Sequence, residues 1–141
     1  IAVGAENVEL HRYLTPEVSV TTDIELLANN KLETITTYNF GRMVRSKTRV
    51  KAGQTLTYTF KEPVACTTIH VPTGYAALPF YGVTDGYVEY SYDGVNFIKG
   101  ENFYRYHAYI RNPEAPVKAV RIVITDANDG YSCCFQNLKI E

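Results

Sequence analysis

The segment Gly86 to Phe97, GYVEYSYDGVNF, constrains this chain more than any other. Val88, Tyr90 and Tyr92 alternate with Tyr87, Glu89 and Ser91. That period of two belongs to an extended strand with two different faces. Asp93-Gly94 follows, a residue pair that supplies the positive φ of a tight turn, and the chain returns through Val95 and Phe97. The segment predicts an antiparallel β-hairpin.

Alternation recurs along the chain. Leu56, Tyr58 and Phe60 interleave with Thr55, Thr57 and Thr59, and Val120, Ile122 and Ile124 oppose Ala119, Arg121 and Val123. Further strands are predicted at Glu17–Thr22, Val44–Val50, Cys66–Val71, Phe103–Ile110, Val117–Thr125 and Phe135–Ile140. Helical periodicity is nearly absent; only Ile24–Leu27, after an N-cap candidate at Asp23, reads as a short helical turn. Many short strands between Gly, Pro, Asn and Asp turns predict an all-β fold, an antiparallel sandwich or barrel, of about eight to ten strands. At 141 residues the chain makes one domain. Residues 1–16 lack a clean pattern and read as a lead-in from a preceding domain with a possible first strand, leaving 17–141 as the sandwich. The start at Ile1 reads as the edge of a fragment excised from a longer protein.

Composition closes several routes. Fourteen basic residues nearly cancel fifteen acidic ones, so no general electrostatic pull toward nucleic acid or an anionic membrane exists. No stretch reaches the ~20 apolar residues of a membrane span. The basic run Arg42, Arg45, Lys47, Arg49 and Lys51 alternates, from Arg45 on, with Ser46, Thr48 and Val50, which reads as the solvent face of a strand. Cys66, Cys133 and Cys134 are too few and too poorly spaced for a disulfide scaffold, so a hydrophobic core must hold the fold.

Catalytic constellations are weak. Cys133 or Cys134 with His11, His70 or His107 supplies a nominal nucleophile and base, but Cys134 opens a core strand, where a small apolar residue is ordinary. His70, between Ile69 and Val71, faces the polar side of its strand. Asp85, Asp93, Asp126 and Asp129 sit in turns, where aspartate bonds its own backbone, and no acid pair stands out for glycoside hydrolysis. The run Asp126 to Gly130 opens like an EF-hand, yet its glycine comes one residue early and its twelfth position is Asn137.

Aromatic loops carry the best functional signal in a chain with twelve tyrosines and six phenylalanines. Tyr75, Leu78, Phe80 and Tyr81 lie in Gly74–Gly86 without strand alternation, and Phe103–Tyr109 adds four aromatics, Arg105 and His107. A sugar site needs an aromatic platform for the apolar sugar face and planar polar groups for the hydroxyls. The first segment reads as an exposed loop tip. The second reads equally as a site or as core lining.

Taken in order, these blocks resemble the F5/8 type C (discoidin-like) domains. GYVEYSYDGVNF, Lys51–Phe60, Val64 to Gly74, VKAVRIVIT and Phe135–Ile140 follow that family's sequence of strands over about residues 36–141. This version is most similar to the family 32 carbohydrate-binding modules at the C-terminus of bacterial chitobiase or β-N-acetylhexosaminidase-type glycosidases. The resemblance implies a galactose-binding-like jelly-roll sandwich without catalysis of its own, secreted, periplasmic or at the cell surface. Its partners would be a terminal sugar of a glycan and the catalytic domain of the same polypeptide, with no nucleic acid or membrane. In that setting Tyr75, Phe80 and Tyr81 are expected to form the stacking platform, and Asn102, Arg105 and His107 the polar contacts. The alternative is a structural or protein-interaction domain that buttresses the catalytic domain. Structural calcium is known in the family, but its Asp-Gly is missing from Asn29–Tyr38 and its closing glutamate is Asn137, so no cofactor and no metal ligand are expected.

Overall fold

The computed structural model describes residues 17–27, 44–74 and 78–141. Among them run ten strands: β1 (Val18–Thr22), β2 (Val44–Arg45), β3 (Thr55–Val64), β4 (Thr68–Pro72), β5 (Gly86–Ser91), β6 (Ile98–Asn102), β7 (His107–Arg111), β8 (Val117–Ile124), β9 (Cys134–Phe135) and β10 (Lys139–Ile140). The only helical element among the described residues is a 3-10 turn at Pro79–Tyr81. Strands β1-β3-β8-β5-β6 form a five-stranded sheet, β10-β4-β7 a three-stranded one, and β2 pairs with β9. All these pairings are antiparallel. The expected antiparallel β-sandwich is the architecture observed.

The alternation read from the sequence is what closes the two layers. Leu56, Tyr58 and Phe60 of β3, Val88 of β5 and Val120, Ile122 and Ile124 of β8 are buried. They share one core with Ile69 and Val71 of β4, Ala108 and Ile110 of β7 and Ile140 of β10. The odd-phase residues Thr55, Thr57 and Thr59 stay half exposed on the outer face. Cys133 and Cys134 are buried and unbridged, as is the half-buried Cys66. Burial lifts the Cys134 thiol to about 11 and the Cys133 thiol well above its ordinary value, so neither offers a thiolate.

Several predicted strands are shorter, each for a local reason. The predicted Val44–Val50 is a strand only over Val44–Arg45; at Ser46 the side-chain hydroxyl, in place of a backbone carbonyl, accepts the Cys133 N–H (2.7 Å). Arg45, Lys47, Arg49 and Lys51 are all exposed, but Lys47, Arg49 and Lys51 stand on a loop rather than a strand face. The Asp93-Gly94 turn is wider than two residues. Asp93 accepts the backbone N–H groups of Asn96 and Val95 (both 2.8 Å), and β6 starts only at Ile98. Those same bonds, Asn96 first, hold the exposed Asp93 carboxyl far below the usual carboxylate range. Phe135–Ile140 splits where the Gln136 carbonyl turns inward to the Tyr58 hydroxyl (2.8 Å). Ile24–Leu27 is extended rather than helical: Leu26 bridges Ser46, and Asp23 accepts the Thr55 N–H (2.9 Å) instead of capping a helix. Residues 1–16, the expected lead-in, and Asn29–Tyr38 lie outside the described residues.

Tyr58 tests how polar groups are managed in this core. Its hydroxyl is fully buried, and burial pushes its ionisation far above the usual tyrosine range. Tyr58→Phe leaves the Gln136 carbonyl unpaired, and a loss of about 1–3 kcal/mol is expected. Urea unfolding with an unchanged slope and a lower midpoint would show it.

Candidate functional site

One end of the sandwich is built from three segments: Leu78–Asp85 between β4 and β5, Phe103–His107 between β6 and β7, and Asp126–Cys133 after β8. Thr73, at the end of β4, ties the first two together. Its hydroxyl donates to the Tyr106 carbonyl (2.6 Å) and accepts the Val83 N–H (2.8 Å), while its own N–H also reaches Tyr106 O (3.1 Å). The third segment is joined by Gly130 N–H to Phe80 O (3.1 Å) and Asp129 N–H to the Thr84 hydroxyl (3.1 Å). Asn128, buried in that loop, accepts the Val50 N–H (3.1 Å) and donates to Ser132 O (2.7 Å). The loops are therefore held by backbone groups bonded to one another and to the short polar side chains of Thr73, Thr84 and Asn128.

Two glycines let the segments close. A Cβ on Gly130 would stand 1.9 Å from the Tyr81 ring, and one on Gly82 would stand 2.6 Å from Tyr106 Cβ. Tyr81 is thereby locked half-buried beside Gly130, with the Phe80 ring tilted against it at 4.9 Å. Phe80 is 39% exposed and Tyr131, next to Gly130, is 80% exposed. The Arg49 guanidinium lies 5.8 Å from the Tyr131 ring centre. The run Arg49, Tyr131, Phe80, Tyr81 forms an aromatic ridge with a cationic flank.

Beyond Gly82, Tyr104 to His107 form a closed four-residue turn. Tyr104 N–H donates to His107 O (2.8 Å), and His107 N–H donates to Tyr104 O (3.1 Å). The two central residues, Arg105 (φ 48°) and Tyr106 (φ 74°), both occupy the left-handed region without being glycine or asparagine. Such positions cost on the order of 1 kcal/mol or more each and persist where surroundings impose them. The turn presents Tyr104, 72% exposed, with the Arg105 guanidinium 5.3 Å from its ring centre. It also breaks the strand predicted over Phe103–Ile110, because Arg-Tyr gives none of the usual hairpin-turn signal.

The expected site residues divide accordingly. Phe80 and Tyr81 sit together on the ridge, and Arg105 stands at the exposed turn beside Tyr106. Tyr75 lies outside the described residues. Asn102 is set apart: it pairs with Tyr87 and accepts from Lys99 Nζ (3.2 Å) on the outer face of the five-stranded sheet. His107 begins β7 with its Nδ1 2.8 Å from Nε2 of His70, on the outer face of the three-stranded sheet. Arg49 and Tyr131 stand at this end without being singled out by the sequence, and Tyr104, one of the Phe103–Tyr109 aromatics, is exposed there rather than lining the core. Tyr131 does follow Asp129-Gly130, a turn signal that marks an exposed ring. Arg49 alternates with Thr48 and Val50, which hides it as a strand-face residue. Among the described residues no three His, Cys, Asp or Glu side chains gather as a metal site, and Asn137 uses its oxygen on the Leu138 N–H (2.9 Å).

The fold has parallels among solved structures. A CBM32 of a GH31 enzyme bound to GalNAc superimposes with a TM-score of 0.67 at 10% identity, over 90% of this chain and 98% of that one. The family 32 carbohydrate-binding module of Streptococcus pneumoniae EndoD gives 0.65 at 11% identity, over 92% and 98%. The fold is that of the family 32 carbohydrate-binding modules. A Bacteroides thetaiotaomicron fragment provisionally described as chitobiase shares this CBM32-like fold, with a TM-score of 0.59 at 15% identity, over 91% and 93%. No family model and no curated protein matches the sequence. The likeness is thus one of fold.

The ridge depends on the glycine at 130. Gly130→Ala is expected to destabilise the domain by about 1–3 kcal/mol by driving a methyl into Tyr81. In a Tyr81→Ala background most of that penalty should vanish, which a thermal-unfolding double-mutant cycle reads directly.

Proposed function

We propose that this chain is a non-catalytic carbohydrate-binding module that holds a terminal sugar at the loop end of the sandwich. One observation carries the reading: exposed rings of Phe80, Tyr104 and Tyr131 project from loops locked by backbone bonds, with the guanidinium groups of Arg49 and Arg105 beside two of them. A ring covers the apolar C–H face of a pyranose, and guanidinium N–H groups bond its hydroxyls. Tyr81 and, from the sequence, Tyr75 complete the proposed contacts, whereas Asn102 and His107, on the outer faces of the two sheets, are left out. A module of similar fold solved with bound GalNAc supports a sugar-binding reading.

The absence of catalysis is part of the proposal. It is supported by the raised Cys133 and Cys134 thiols and by the turn bonds that occupy Asp93. The finer reading follows from the fold's company: an accessory domain of a secreted, periplasmic or cell-surface glycoside hydrolase of chitobiase or β-N-acetylhexosaminidase type, with residues 1–16 as its lead-in. Its role would be to concentrate the attached enzyme near its glycan through weak contacts, with Kd on the order of 1 mM.

A ¹⁵N-HSQC titration with galactose, N-acetylgalactosamine, N-acetylglucosamine and chitobiose tests this. Saturable shifts confined to residues 78–85, 103–107 and 129–132 are expected, and Tyr131→Ala should weaken binding by roughly fivefold, the loss of about 1 kcal/mol of ring contact. No shift at tens of millimolar sugar sinks the reading in favour of a docking domain.

A further inference from the structure

The outer face of the three-stranded sheet carries an intercalated column of side chains that the sugar site does not use. The His70 ring of β4 stacks on Tyr109 of β7 (4.6 Å, 12°) and lies against His107 (5.0 Å, 28°). Arg111 follows over the Tyr109 ring at 4.4 Å and is paired with Glu101 of β6 (2.8 Å). At the loop end of this column His70 Nε2 and His107 Nδ1 face each other at 2.8 Å. His107 is also the residue whose backbone closes the Tyr104–His107 turn in both directions.

We propose that the His70–His107 pair is an acid-sensitive latch on this turn, so that acidification loosens the turn and weakens the sugar held beside it. The release of sugar rests on the function proposed above; the latch does not.

The argument is one of proton counting. Two imidazole nitrogens at 2.8 Å make a hydrogen bond only when one carries a proton and the other a lone pair. Protonating both rings leaves two donors and two positive charges face to face, so the bond is replaced by repulsion. The described groups around the pair favour the neutral form. Lys139 of β10 adds like charge to both histidines, Tyr109 covers a face of His70, and Arg111 stands beyond Tyr109 already tied to Glu101. Glu141, which lines a recess of about 260 Å³ with Thr68, His70, Tyr109 and Lys139, is the one group of opposite sign there. Burial first, then His107 and Lys139, lowers His70 to about 4, and burial with Lys139 lowers His107. A histidine depressed below its ordinary value binds fewer protons when folded than when released. The latch is therefore intact above about pH 6.5 and is lost as pH falls toward 4.

What the latch restrains is strained. Arg105 and Tyr106 hold positive φ in a turn fastened by the Thr73 bonds to Tyr106 O and by the paired Tyr104–His107 backbone bonds. Removing one of these restraints lets the left-handed pair relax, and with it Tyr104 and Arg105.

The test follows the ligand-free domain by ¹⁵N NMR from pH 7 to pH 4, in wild type and in His70→Gln, which keeps a hydrogen-bonding group near Nε2 without a titrating proton. His107→Asn serves as the second variant if the first is not folded. In wild type, the amides of Tyr104, Arg105 and Tyr106 should move with the same midpoint as the imidazoles; in the variant that coupled shift should disappear. Affinity for N-acetylgalactosamine should then fall roughly fivefold or more on acidification of wild type and stay flat in the variant. Turn amides that ignore the imidazole titration, or that shift equally in His70→Gln, overturn the latch. Coupled amides without sugar binding at pH 7 uphold the latch and remove the function proposed above.

Discussion

Everything in this domain is hung on the apolar phase of β8. Val120, Ile122 and Ile124 point inward from a strand bonded on both sides, to β3 and to β5, so no edge of it is left to solvent. Burying such a side chain contributes about 1.5–3 kcal/mol. The alternation also fixes register, since a slip of one residue would turn Arg121 into the core. Arg121 instead lies outward, bonded to Glu89 (2.8 Å) and over the Phe97 ring (3.8 Å). Once β8 is placed, β3 and β5 can lie in only one phase, and the second layer must present its own apolar phase, Ile69, Val71, Ala108 and Ile110, to the same core.

The second layer is narrow among the described residues, and that shapes the loop end. With three strands there, β4 and β7 each run directly into a loop at that end. Thr73 resolves this by satisfying three backbone groups at the exit of β4 with one residue. Its position is dictated by burial: a hydroxyl sealed among loops must make its bonds or cost the domain their desolvation. The result is a rigid base from which Phe80, Tyr104 and Tyr131 stand out. Rigid backbone with projecting rings suits weak recognition of a rigid ligand, because little conformational entropy remains to be lost on binding.

The opposite outer face of that layer is polar and closely stacked rather than bare. Its histidines are held neutral by burial and by Lys139, and they lie at the root of the strained turn. This places a titratable contact two residues along the chain from the exposed Tyr104–Arg105 pair. Sheet edges are managed in the same economical way: β6 and β7, edge strands of different layers, are clasped by Arg111 and Glu101.

By itself the sequence determined the class of fold. Period-two alternation at Thr55–Phe60, Gly86–Ser91 and Val117–Ile124 depends only on local geometry, and so do the turn at Asp93-Gly94 and the loop character of residues 78–85. What it could not contain were distances between segments far apart along the chain. Val44–Val50 and Phe135–Ile140 alternate as well as any strand, but Ser46 and Gln136 are claimed by Cys133 and Tyr58, partners 87 and 78 residues away. The site divided along the same line. Phe80 and Tyr81 were legible from an aromatic loop. Arg49, beside Tyr131 from 82 residues off, was not, nor was the placing of Asn102 on a sheet face. The His70–His107 contact likewise exists only because β4 and β7 pair, and no local pattern could announce that two nitrogens 37 residues apart would share one proton.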